Sequence, residues 1–209
     1  MMSNFSFDNL YDVPSWFRVF RHNAERITEV EDSGWRNGEV NLQLTTEFFD
    51  RYFSKGQVIW EPFGGTGNVR SIDIGLARGI QMITQDISPS DPRVRKADST
   101  EVGPNELVDG IVFHPPYFGS SPFSADGHDL SCLESADEYL TSLCKVANLG
   151  VDCLNNGGII CSVGRSYMYR GCRVNLDWWL ASLFIGLGFD VDCLWSSIPD
   201  MAVILRRRV

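Results

Sequence analysis

Val58-Ile-Trp-Glu-Pro-Phe-Gly-Gly-Thr-Gly67 is the stretch that decides the fold. Val58, Ile59 and Trp60 form a short apolar run, of a length that suits a buried strand better than a helix. Glycines follow at 64, 65 and 67, and the period then changes. Val69, Ile72 and Leu76 share one helical face, which Gly79 ends. A buried strand, a Gly-rich turn and a helix, in that order, open a parallel α/β sheet.

Downstream, the alternation continues. Gln81 to Thr84 reads as a strand ending at Asp86, and Val94 to Ala97 as a short one leading to Asp98. Gly110 to Phe113 is a further strand, ending in His114-Pro-Pro-Tyr117, with an irregular loop to about Glu134. The capping box Ser135-Ala-Asp-Glu138 opens a long helix with apolar face Tyr139, Leu143, Ala147, Gly150 and Leu154. Asn155-Asn-Gly-Gly158 ends it, and Ile159 to Val163 is a strand. Gly164 to Arg173 reads as a second irregular loop. Asn175 then caps a helix carrying Leu176, Trp179, Leu180 and Leu183. Phe189 to Leu194 and Met201 to Leu205 form a hairpin around Ser196-Ser-Ile-Pro199. Upstream, Thr45 or Thr46 caps a short helix with Phe48, Phe49, Tyr52 and Phe53. The expectation is a doubly wound, mostly parallel seven-stranded α/β sheet with an antiparallel C-terminal hairpin. It spans residues 44–209, with residues 1–43 as an extension packing on the core.

Bulk composition agrees with one domain. The chain has 209 residues, 44% of them hydrophobic and 22% charged. Its acidic, polar opening is not a signal peptide, and its apolar runs are too short to span a bilayer, which favours the cytoplasm. Six cysteines without C-x-x-C pairs read as reduced, mostly buried small hydrophobes, and no metal site is expected. A net charge of −9 argues against a general polyanion binder but leaves room for a local basic face.

Ligands bind beyond the carboxyl ends of the strands in such sheets. The Gly-rich turn has no Gly-Lys-Ser/Thr ending and is not G-x-G-x-x-G, so it is not a phosphate loop of either kind. Asp86 can accept the two hydroxyls of a ribose, and Asp98 can accept from an adenine amino group. Three such features at consecutive strand ends point to a nucleoside site. After the fourth strand, Pro115 and Pro116 make a rigid turn with free carbonyls and hold Tyr117 beside it. Carbonyls accept from an amino group and an aromatic face stacks on a base, which suits chemistry on an exocyclic amine.

These residues resemble those of the DNA amino-methyltransferases, which make N6-methyladenine or N4-methylcytosine. Glu61-Pro-Phe-Gly-Gly-Thr-Gly67 is similar to their D-P-F-x-G-x-G cofactor loop, and His114-Pro-Pro-Tyr117 to their D/N/S-P-P-Y/W catalytic motif. Phe123-Ser124, Asp129-Leu130 and Tyr139-Leu140 echo small modification methylases. Asn41 to Phe48 resembles the stretch that folds over the methionine end of the cofactor. The similarity runs from residue 41 to about 205. It implies a class I methyltransferase fold and S-adenosylmethionine as cofactor, held by Thr45, Glu61, Pro62, Phe63, Gly64, Gly65, Gly67, Asp86, Ile87 and Asp98. His114, Pro115, Pro116 and Tyr117 would be catalytic. Phe118, Phe123, Ser124, Arg165, Tyr167, Tyr169, Arg170 and Arg173, on the loops 118–134 and 164–174, would meet the substrate. The partner implied is DNA, with no membrane and with a homodimer compatible.

Two departures stand out. His114 replaces the usual acid or amide, and an imidazole accepts a hydrogen bond only when neutral and in the right tautomer. Its ordinary pKa of about 6.5 would be raised by acidic surroundings. The family's separate target-recognition domain is also missing. Cys161 lies within a strand without a Pro-Cys motif, which disfavours C5-cytosine chemistry. Rival readings keep the chemistry on RNA or a glutamine amide, or make the chain a methylase-fold binding module without turnover.

Overall fold

The computed structural model describes residues 42–65, 70–120, 122–124, 127–197 and 200–208. Expectations for residues 1–41, and for Gly67, lie outside them. Helix α1 (Leu42–Tyr52) precedes β1 (Val58–Glu61), α2 (Arg70–Arg78), β2 (Gln81–Asp86), the two-residue β3 (Arg95–Lys96) and β4 (Val108–Phe113). A 3-10 turn (Leu130–Cys132) leads to α3 (Ala136–Asp152) and β5 (Leu154–Gly164). The hairpin β6 (Ser166–Tyr169) and β7 (Cys172–Asn175) comes next, then α4 (Leu176–Gly186), β8 (Phe189–Ser197) and β9 (Asp200–Arg207).

Seven strands form one sheet in the order β3-β2-β1-β4-β5-β9-β8. The first five are parallel, and β9 runs antiparallel to both β5 and β8. This is the doubly wound sheet expected from the sequence, with β9 of the C-terminal hairpin inserted beside β5. Side chains alternate across it with period two. Trp60, Ile111, Phe113, Ile160, Val203 and Leu205 face one core, which Tyr139 and Leu143 of α3 and Leu176 and Leu180 of α4 cover. Ile59, Val112, Cys161, Ala202 and Ile204 face the other, covered by Leu44, Phe48 and Phe49 of α1 and Ile74 of α2. A strand buried on both faces must read as continuous hydrophobic sequence, which is why β1 and β4 were recognisable. Helix α3 lies close to the sheet at Gly150, where an added Cβ would stand 2.5 Å from the Trp60 ring and 2.9 Å from Ile111.

Five local expectations change, the first being that α1 begins at Leu42, so Thr45 and Thr46 lie within it and do not cap it. Residues 166–175 form a hairpin instead of an irregular loop. Its two-residue turn places Arg170 at φ 48° and Gly171 at φ 81°, the left-handed pair that suits the twist of two short strands. Helix α3 ends at Asp152, where the Cys153 N–H bonds the Gly150 carbonyl. Asn155 to Gly158 therefore belong to β5, within an irregularity between the Val108–Leu154 and Gly110–Ile159 pairs, and Gly157 supplies φ 78° there. Asn175 occupies the N-cap of α4, but its side chain makes no capping bond. The cysteines are not mostly buried either. Cys132, Cys144 and Cys172 are exposed and only Cys161 is buried, all six being free thiols. Among the described residues, no helix is long and apolar enough to cross a membrane.

Candidate active site at the carboxyl edge of the sheet

The turns after β1, β2 and β4 open on one edge of the sheet, together with the segment after β5. Because β9 is antiparallel to β5, with Gly164 paired to Met201, its first residue, Asp200, reaches the same edge.

Backbone bonds pin the Gly-rich turn. The Gly64 N–H donates to the Gln85 carbonyl at 2.9 Å, and the Gly65 N–H to the Asp86 carboxylate at 3.0 Å. Gly64 lies tight against β2, since a Cβ there would meet Thr84 at 2.4 Å. Gly65 has φ 77°, and no described residue lies within 4 Å on its side-chain side. Asp86 takes the Ser88 N–H on its other oxygen at 2.8 Å, so each oxygen keeps a lone pair. Burial, opposed by those two N–H donors, leaves its pKa raised. Ile87, half-buried, follows it.

Pro62 is buried, and its carbonyl accepts the Ser99 hydroxyl at 2.5 Å. Glu61 points into the fold, accepting from Ser71 at 2.6 Å and Thr84 at 3.3 Å. Burial pushes its carboxyl up to about 7 against those hydroxyls. Asp98 is half-spent: one oxygen holds the Thr100 N–H and hydroxyl, and the other lies 2.8 Å from His128 Nδ1. Burial raises its pKa, but the Thr100 and His128 bonds outweigh this and leave it lowered. Thr45 is buried on α1 beside Leu44 and Phe48. Phe63 packs edge-on against Phe113 at 5.3 Å, joining this half of the site to the next.

In the second half, His114 is buried, with 8% of its surface exposed. Burial first, then the nearby Arg165 guanidinium, lowers its pKa to about 4. That reverses the expected upward shift, because burial disfavours the charged imidazolium and the charge acting on it is the Arg165 cation, not one of the chain's many acids. Its Nε2 lies 3.4 Å from the Tyr117 hydroxyl, which donates to Asp200 at 2.8 Å. Pro115 is buried, and no described residue donates to its carbonyl. The Pro116 carbonyl, expected to be free, accepts the Tyr139 hydroxyl at 2.8 Å. Tyr117 is not a bare ring. It stacks on Tyr167 at 5.4 Å and 11°, and the Arg165 guanidinium lies over it at 5.1 Å.

Of the expected substrate residues, Phe118 is a core residue, packed on Tyr139 and Tyr169. Its carbonyl accepts the Tyr167 hydroxyl at 2.9 Å. Thus Tyr167 and Tyr169 clamp the β6–β7 hairpin onto the turn after β4. The clamp requires Gly119, where a Cβ would stand 2.2 Å from the Tyr169 ring. Arg170 and Arg173 are exposed on the hairpin, beside Met168 at 65% exposure. Phe123 is exposed, and its N–H and that of Ser124 both donate to Asp129.

Two residues escaped the sequence reading of roles. Asp129 organises the loop, taking four hydrogen bonds from Phe123, Ser124 and Ser131. Its local signal was the Asp-x-Ser spacing of a turn, beside the Asp129-Leu130 pair of the resemblance. Asp200 is 3% exposed and lies 3.8 Å from Arg165, and nothing local marks it. Among the described residues, no group of three or more His, Cys, Asp or Glu could hold a metal ion.

No family model matches the chain, and no curated protein matches it in sequence. Solved structures match it in fold. A Burkholderia thailandensis 1,6-didemethyltoxoflavin-N1-methyltransferase, holding its substrate and S-adenosylhomocysteine, aligns over 92% of this chain and 86% of its own, with TM-score 0.56 and 16% identity. A putative rRNA methylase from Clostridium thermocellum aligns over 83% and 98%, with TM-score 0.54 and 14% identity. A Thermus thermophilus 16S rRNA N2-guanosine methyltransferase, solved with AdoMet and guanosine, aligns over 83% and 45%, with TM-score 0.50 and 13% identity. The chain therefore has the Rossmann-like fold of the class I S-adenosylmethionine-dependent methyltransferases.

Proposed function

We propose that this chain transfers a methyl group from S-adenosylmethionine to an exocyclic amino group of a DNA base, adenine N6 or cytosine N4. The observation that carries this reading is the pair of unspent acceptors at the turn after β4. His114 is held neutral by burial, and the carbonyl of Pro115, a buried residue, receives no hydrogen bond from the described residues. An amino group donates two hydrogen bonds, one to each, and its lone pair is then left free.

The chain's residues fit the cofactor. Asp86 retains lone pairs for ribose hydroxyls, and no described residue lies within 4 Å on the side-chain side of Gly65 beside it. Asp98 contributes an acceptor at the third strand end. The cofactor would supply the methyl on a sulfonium that departs as a neutral thioether, and the product amine would give its extra proton to water. His114 and Pro115 orient the amine so that its lone pair bonds to the methyl carbon while the S–C bond breaks. Phosphates would be met by Arg170 and Arg173, local cations in a chain of net charge −9.

Calorimetry with S-adenosylmethionine tests the first half. Wild type binds, and Asp86→Ala weakens binding about tenfold or more, since bonds to a charged group are worth about 1.5–3 kcal/mol. Labelled cofactor offered with DNA, RNA or protein tests the second. Label in DNA supports the reading, whereas label only in RNA or protein replaces the substrate, and binding without transfer to any pool makes the chain a binding module.

A further inference from the structure

We infer that Asp200 is a positioning residue: through the Tyr117 hydroxyl it holds His114 in the Nε2–H tautomer and so presents Nδ1 as the accepting lone pair. The consequence for catalysis rests on the proposed methyl transfer; the tautomer does not.

The argument is an inventory of protons. A tyrosine hydroxyl has one hydrogen, and the 2.8 Å bond to the Asp200 carboxylate takes it. The oxygen can then only accept on its other side, where His114 Nε2 lies at 3.4 Å. A hydrogen on Nε2 makes that contact attractive. The other tautomer would set two lone pairs against each other. A neutral imidazole carries one hydrogen, so Nδ1 is bare, and no described group bonds to it.

The surroundings leave little else to decide the tautomer. Arg165, ahead of β6, is a donor directed at Asp200 and lies over the Tyr117 ring. The Tyr139 and Tyr167 hydroxyls are committed to the Pro116 and Phe118 carbonyls. Asp200 itself is a carboxylate buried to 3% exposure, an expensive placement unless it is paired. Its partners are Tyr117 and Arg165, both of which reach the site. The order Asp200, Tyr117, His114 thus sets a buried acid to orient a neutral base through a phenol.

Nitrogen NMR of protein carrying 15N-labelled imidazoles reads the tautomer directly. Three histidines contribute signals, and His114→Asn identifies the one of interest. In wild type at pH 7.5 the protonated nitrogen of His114 is expected to be Nε2. Tyr117→Phe, which keeps the stack on Tyr167, and Asp200→Ala should each shift signal toward the Nδ1–H form. Each should also lower kcat about tenfold with cofactor affinity unchanged, as loss of orientation does. An Nδ1–H form or an imidazolium in the wild type overturns the inference. So does an Nε2–H form that persists in both variants. The spectra are recorded without substrate, so they decide the tautomer whether or not the chain methylates DNA.

Discussion

His114 and Glu61 are both buried, and burial moves them in opposite senses on the pH axis. Glu61 has its pKa raised from 4.5 to about 7, so within that window the fold holds a proton that the unfolded chain has released. Folding is therefore favoured as the pH falls through it. His114 has its pKa lowered from 6.5 to about 4, and between those values the unfolded chain holds a proton that the fold excludes. Its contribution to stability falls with the pH. Each slope is about 1.4 kcal/mol per pH unit, so the two cancel where the windows overlap. Glu61→Gln removes one slope. It should stabilise the protein by up to about 3 kcal/mol at pH 8 and steepen the loss of stability below pH 6.5. Denaturant titrations across pH 4.5–8 measure this, and an unchanged pH profile would show that Glu61 is ionised normally. On the proposed reading, the neutral imidazole is the catalytically competent form. The acid limb of kcat/KM is expected near pH 4 instead of 6.5, and His114→Ala should lower kcat while leaving cofactor affinity in place. Wild-type rates in His114→Ala across pH 5–9 would remove the imidazole from the chemistry.

The elements around the site divide by how far their causes lie along the chain. Strands β1 and β4 and helix α3 were legible because their signals are local: runs buried on both faces, and the Ser135 cap accepting from the Glu138 N–H. The Gly-rich turn and His114-Pro-Pro-Tyr117 were legible as motifs. The β6–β7 hairpin was not, because its inner face is defined by contacts with residues some fifty positions away, Tyr167 on Phe118 and Tyr169 on Phe118 and Gly119. Asp200 was hidden for the same reason, being 83 residues from Tyr117. Gly119→Ala should loosen that clamp: its φ of 69° is unfavourable for alanine, and the added methyl would enter the Tyr169 ring. A loss of about 1 kcal/mol or more is expected from the backbone alone, with faster amide exchange in residues 166–175. Exchange equal to wild type would show the hairpin to be held elsewhere. If the hairpin meets phosphates, Arg170→Ala with Arg173→Ala should flatten the salt dependence of DNA binding by nearly two counterions. An unaltered slope would place the DNA on another surface.

At the scale of the molecule, the proposed reading has an acidic chain present one face, the basic-tipped hairpin, to a polyanion and repel it elsewhere. Binding should be weak at physiological salt and strengthen steeply as salt is lowered. The sheet brings the Gly-rich turn, Asp86, Asp98 and the His114 turn to one edge because parallel strands all end there. The fold is shared with methyltransferases of small molecules and of rRNA, so it leaves the acceptor to be decided by the chemistry of that edge. On the proposed reading, neutral acceptors beside a rigid Pro-Pro turn receive an amine, and they offer no thiol to attack a ring carbon. Incubating the protein with S-adenosylmethionine and unmethylated DNA, digesting the DNA to nucleosides and identifying them by mass spectrometry tests this most directly. The account predicts N6-methyldeoxyadenosine or N4-methyldeoxycytidine, diminished in His114→Ala. The appearance of 5-methyldeoxycytidine, or of no methylated nucleoside while RNA or protein takes up the label, would contradict it.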